Sequence, residues 1–122
     1  MDTDRGNALT PDDAGRILAR LHWIVSQSDL HANAGHAAWM AIIGIVDNAA
    51  AVLEACLDDR IHDWFEPGPG ETVETVLAGI RGRLSHVEPT ADIDGPSLLR
   101  VVLAVQALDL AHRVTPVPVG YP

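Results

Sequence analysis

Four apolar stripes at helical spacing, cut apart by proline and glycine, leave this chain little choice of fold. The first is Ile17, Leu18, Leu21, Ile24 and Val25. The second runs through Trp39, Ile42, Ile43, Val46, Ala50, Leu53 and Leu57. The third is Val73, Val76, Leu77, Ile80, Leu84 and Val87, and the fourth is Leu98, Val101, Val102, Val105, Leu108 and Ala111. Residues three and four apart share a helix face, whereas a half-buried strand alternates at every second residue. The fourth segment is rich in β-branched residues but runs far past the usual strand length of about 5–6 residues. Four amphipathic helices with short connections predict an all-α fold, a four-helix bundle with mostly antiparallel helices.

Punctuation sets the boundaries. In Thr10-Pro11-Asp12-Asp13 a hydroxyl can cap, a proline suits the first helical position, and two carboxylates face the positive end of the helix dipole. The first helix runs to about Ser28. Residues 29–35 read as a break, with Asn33 and Gly35 as its punctuators. The second helix covers about 35–60. Pro67-Gly68-Pro69-Gly70 cannot continue a helix, and Trp64 and Phe65 before it are expected to tuck the loop against the bundle. The third helix opens near Glu71 or Thr72 and closes by Val87, because Pro89 drives Glu88 out of helical geometry. Gly79 and Gly82 lie inside it, each costing about 1 kcal/mol relative to Ala. Asp94-Gly95-Pro96-Ser97 opens the fourth helix. The expected organisation is a flexible N-terminus over 1–9, one bundle domain over 10–114 and an extended Pro-rich tail over 115–122.

Composition narrows the function classes. The chain has 122 residues, enough to bury one core without staples, and carries a net charge of −9 from 17 acidic and 8 basic residues. Every basic residue is Arg. That balance argues against binding duplex DNA, which draws its affinity from cationic contacts to phosphate. It fits a basic, unidentified protein partner or simple solubility. Cys56 is the only cysteine, which excludes an intrachain disulfide and points to a reducing, cytoplasmic setting. The longest apolar run, Ala37 to Val46, spans ten residues, half of what a bilayer needs, so no membrane association is expected.

Six histidines invite a test for metal ligands. His31 and His36, five apart, do not share a helix face. His62 and Glu66 have a spacing known from di-iron bundles, but Pro67 follows at once and no Glu-x-x-His motif accompanies them. His62-Asp63 is a dipeptide that also occurs by composition alone. The expectation is no metal and no cofactor. Cys56, beside the second stripe, reads as a buried, inert thiol, Trp39 as core, His22 as a partly exposed helix residue, and Asp58-Asp59 as a solvated helix end.

One segment carries a candidate chemistry. Leu77 to His86 places Arg81 and His86 with four residues between them, a small residue and Gly before the Arg, and Leu84 two before the His. Ile93-Asp94 then opens the last helix. This pattern resembles the HEPN family of helical-bundle ribonucleases, which includes toxins paired with a minimal nucleotidyltransferase. Two positions differ from the family pattern: Gly82 follows the Arg where a polar residue is usual, and Glu88 stands where many of these toxins carry a Tyr. The resemblance implies a metal-independent endoribonuclease of a toxin–antitoxin or defence system. In it Arg81 would meet the phosphate, His86 would transfer a proton and Arg83 would assist, in a cleft between two protomers. The chemistry is coherent, since a His titrates near neutrality and an Arg offers a fixed fork of donors to a pentavalent phosphate. Five residues of helix rotate by about 140°, so the two side chains converge only if the helix ends near His86 or across a dimer. In the structural alternative, both merely complement the dipole at a helix C-terminus. The residues thus support two expectations: a small acidic interaction or regulatory module acting through protein–protein contacts as a homodimer, and a HEPN-like ribonuclease acting on RNA.

Overall fold

The computed structural model describes residues 8–57, 65–90 and 93–113. Asp58-Asp59, His62-Asp63, Trp64, most of the N-terminal segment and the Pro-rich tail lie outside the described residues. The chain is all-helical, with α1 (Pro11–Val25), α2 (Ser28–Ala34), α3 (His36–Ala55), α4 (Val73–Leu84) and α5 (Gly95–Arg113) packed as a bundle.

Each end of α1, α4 and α5 has a local cause. Asp13 N–H donates to Thr10 Oγ1 at 3.1 Å while Thr10 N–H donates back to Asp13 Oδ2 at 3.3 Å, a reciprocal cap at the start of α1. Thr72 and Thr75 repeat the arrangement at α4. At α5 the Ser97 N–H donates to Asp94 Oδ1 at 2.9 Å, which holds the Asp94 carboxyl below its usual pKa range. Helix α4 stops at Leu84, short of the expected Val87, and Val87 is buried in the following loop. There Thr90 N–H donates to the Ile93 carbonyl and Ile93 N–H to Thr90 Oγ1, pinning a fully buried Ile93 ahead of α5.

The core is wholly apolar among the described residues, with Leu21, Ile24, Leu30, Leu53, Leu77, Ile93, Val101, Val105 and Leu108 at its centre. Helix α3 packs most extensively on α5; α1 joins through α3, and α4 through α5. The expected stripes supply this core. The sequence reading needs further corrections: the first helix ends at Val25 and not near Ser28, the second at Ala55 and not near 60, and Cys56, expected to be buried, is half-buried. Residues 29–35 are not a plain break, because Ser28–Ala34 forms the short helix α2, which buries Leu30 against α3 and α5. Order also begins before residue 10: Leu9 is buried, and the Ala8 carbonyl accepts a hydrogen bond from Arg83 at 3.0 Å.

Gly35 ends α2 and begins α3 with φ 85°. An L side chain there would be strained, so the glycine lets the chain turn without a loop.

Candidate functional site

Arg81 lies on the face of α4 turned toward α5. Its Nη1 stands 2.6 Å from Asp109 Oδ1, and the other oxygen of that carboxylate meets Arg113 Nη2 at 3.0 Å. Nη1 is buried and makes no hydrogen bond, so its contact with Asp109 is an ion pair. One carboxylate thus serves two guanidiniums, leaving the group with one positive charge in excess. Arg81 also edges a mostly apolar cleft of about 220 Å³ between α4 and α5, lined by Leu84, Ser85, Val102, Val105 and Gln106.

Arg83 points the other way. It donates to Asp13 Oδ2 and to the Ala8 carbonyl, which ties α4 to the start of α1 across 70 residues of sequence. Partial burial raises the Asp13 carboxyl, but the hydrogen bonds from Arg83 and Thr10 outweigh it and hold its pKa below the usual 3.8. Arg83, expected as a catalytic auxiliary, is engaged in a structural tie within the chain. A second cleft of about 280 Å³ lies beside it, between α1 and α4, bordered by Arg16, Arg20, Ile80 and the bare backbone of Gly79. Arg20 is held there by the Arg16 carbonyl at 3.1 Å and by the face of Phe65, 4.6 Å from the ring centroid. Phe65 also meets Trp23 edge-on, so it does fasten its loop to the bundle as expected.

His86 lies just past the end of α4 and is exposed, its backbone N–H donating to the Arg83 carbonyl. Helix α4 thus ends where convergence of Arg81 and His86 would require. Within one chain, however, Arg81 faces Asp109. The structure brings together Arg81 with Asp109 and Arg83 with Asp13, and groups none of the three candidates with another. Asp109 was missed in the sequence because nothing local marks a residue of α5 as the partner of one on α4.

Two other arrangements were also missed. His31 at the end of α2 and His36 at the start of α3 face each other across Gly35, with His31 Nε2 3.4 Å from His36 Nδ1. The His31 ring stacks on the buried Trp39 at 16°. The second arrangement is apolar. On α5, Leu99, Leu103 and Leu110 are 54%, 45% and 66% exposed, and with Gln106 they follow a four-three-four spacing opposite the buried face. On α3, Ala37, Ala41, Gly44, Asn48, Ala51 and Ala55 form an exposed stripe of small residues beside Met40 and Ile45. By length and composition alone α3 would suit a membrane span, and only 28% of it is buried. A Cβ built on Gly44 would meet nothing within 4 Å.

Among the described residues no group of three or more His, Cys, Asp or Glu side chains could hold a metal ion. No protein-family model matches the chain, and no curated protein or solved structure matches it. Fold and site together define an all-α bundle with ion pairs fastening α4 on both sides and two bare apolar helix faces.

Proposed function

We propose that this protein is a small acidic interaction module that works as a homodimer through the outward faces of α3 and α5. The observation that carries the reading is the leucine stripe of α5. A helix apolar on both sides has one side covered by its own fold and needs a partner for the other. Fully covering a leucine contributes roughly 1.5–3 kcal/mol relative to leaving it in water.

A second copy of the chain is the partner whose chemistry fits. The chain carries both a ridge of leucines on α5 and a stripe of small residues on α3, so a second copy offers surfaces that each of them can pack against. Helical spacing puts Arg100 and Arg113 at the borders of the ridge, and Asp47 and Glu54 at the border of the stripe. The overall charge of −9 opposes association, so screening by salt should strengthen the dimer. Sedimentation equilibrium tests the reading. A dimer at micromolar concentration, tighter in high salt, is expected for the wild type. A helical monomer is expected for Leu103→Glu and for Gly44→Leu. A monomeric wild type would overturn the proposal.

A second reading, the metal-independent ribonuclease implied by the Arg81–His86 resemblance, is favoured by one observation: the Arg81–Asp109–Arg113 group keeps a net positive charge at the edge of a cleft. In a single chain Asp109 already occupies Arg81, so this reading needs the guanidinium freed or completed by a second protomer. Cleavage of single-stranded RNA in the presence of EDTA, lost in both Arg81→Ala and His86→Ala, is its expected signature. Equal cleavage by the variants would return both residues to structural roles.

A further inference from the structure

From the geometry at the α2–α3 junction we infer that His31 and His36 form a binding site for a divalent transition metal of the zinc class. On a continuous helix, residues five apart diverge by about 140°. Here Gly35, with φ 85°, separates two helices and folds the second ring back onto the first. His31 Nε2 and His36 Nδ1 then stand 3.4 Å apart, with ring centroids 5.5 Å apart.

That separation decides what the pair can do. Without an ion one ring donates to the other across a long hydrogen bond, which holds the two nitrogens toward each other. Two nitrogens each about 2.0–2.1 Å from one tetrahedral ion stand about 3.3–3.4 Å apart. The bite of the pair therefore already matches a tetrahedral ion, and binding requires little movement of either ring. Both side chains are exposed, so an ion can reach them and water can fill the two remaining positions. Trp39, buried beneath His31 with its ring nearly parallel, restricts the orientation of one ligand. Imidazole nitrogens select Zn²⁺, Cu²⁺ and Ni²⁺ over Mg²⁺ and Ca²⁺, which require oxygen ligands.

Such an ion would clip α2 to α3. Helix α2 has seven residues and no side-chain N-cap, and a helix this short draws its stability from tertiary contacts. Binding to the folded state alone raises the melting temperature by mass action.

Calorimetric titration of the full chain with Zn²⁺ and with Mg²⁺, paired with thermal unfolding, tests the site. The expected result is one Zn²⁺ per chain, no heat with Mg²⁺, and a Tm raised by several degrees with Zn²⁺. His31→Ala and His36→Ala should each weaken Zn²⁺ binding at least tenfold and remove the Tm rise, with helicity unchanged. His22→Ala and His86→Ala, elsewhere on the surface, should bind as the wild type does. Zn²⁺ binding that survives the double variant His31→Ala/His36→Ala, or a wild type that binds no Zn²⁺, would overturn the inference.

Discussion

The two sides of α5 obey different rules. Leu108 is fully buried and Leu110, two residues on, is 66% exposed. Facing α4, Asp109 holds Arg81 and Arg113, and every contact closes within one chain. Facing solvent, Leu99, Leu103 and Leu110 are exposed. The inward side therefore fixes the fold, and the outward side is where the proposed association would act. Arg81, from the motif that resembles a catalytic one, falls on the inward side, paired with Asp109.

The sharpest way to break that contrast is to truncate the two leucines separately. Leu108→Ala should cost about 2–5 kcal/mol in chemical denaturation, because it opens a cavity in the core. Leu110→Ala should leave the stability of the isolated chain unchanged within about 0.5 kcal/mol. Its effect should appear as weaker association in sedimentation. Equal losses would mean that the outward face is packed within the chain after all.

Removing Asp109 tests the polar side. Asp109→Ala leaves Arg113 and the buried Nη1 of Arg81 without their counter-charge, and should cost about 1–3 kcal/mol. Arg113→Ala should cost far less, since that side chain is 68% exposed. Denaturation midpoints of the two variants decide the order.

The Asp13–Arg83 tie predicts a small pH effect on stability, reduced by solvent screening. The Asp13 carboxyl has a lowered pKa in the fold, so its contribution is full above the unfolded value near 3.8 and is lost as pH falls through the lower folded value. Asp13→Asn should therefore be less stable than wild type near neutral pH, and the difference should shrink as the pH falls below 3.8. A difference that stays constant with pH would remove the ion pair from the account.

The smallest effect is a gain. A Cβ on Gly79 or Gly82 would meet nothing within 4 Å, and both are exposed positions inside α4. Gly79→Ala and Gly82→Ala should each stabilise by about 0.5–1 kcal/mol in thermal unfolding. Close packing, one reason to keep glycine in a helix, does not apply at either position.

Much of the fold was legible because its signals are local. Caps such as Thr10 and Thr72, the Pro67–Gly70 turn and stripes such as Val76, Leu77, Ile80 and Leu84 act within a few residues of themselves. Helix α2 was not legible. Among its residues whose burial is described only Leu30 is fully buried, and no periodicity can show in so short a segment. The candidate site was legible as a list of residues and not as an arrangement. Arg81, Arg83 and His86 stand out through a resemblance, but Asp109 and Asp13, the partners of the two arginines, lie on other helices.

The sequence by itself determined that the chain is helical, where four of the helices run and which face of each turns inward, because helix period, capping and turn chemistry are encoded at short range. Only the tertiary structure decided that Arg81 pairs with Asp109, that Arg83 anchors α1, that His31 meets His36 across Gly35 and that the leucines of α5 are exposed. Each of those depends on how helices are set against one another, through packing and charge contacts between residues whose separation along the chain carries no information about their separation in space.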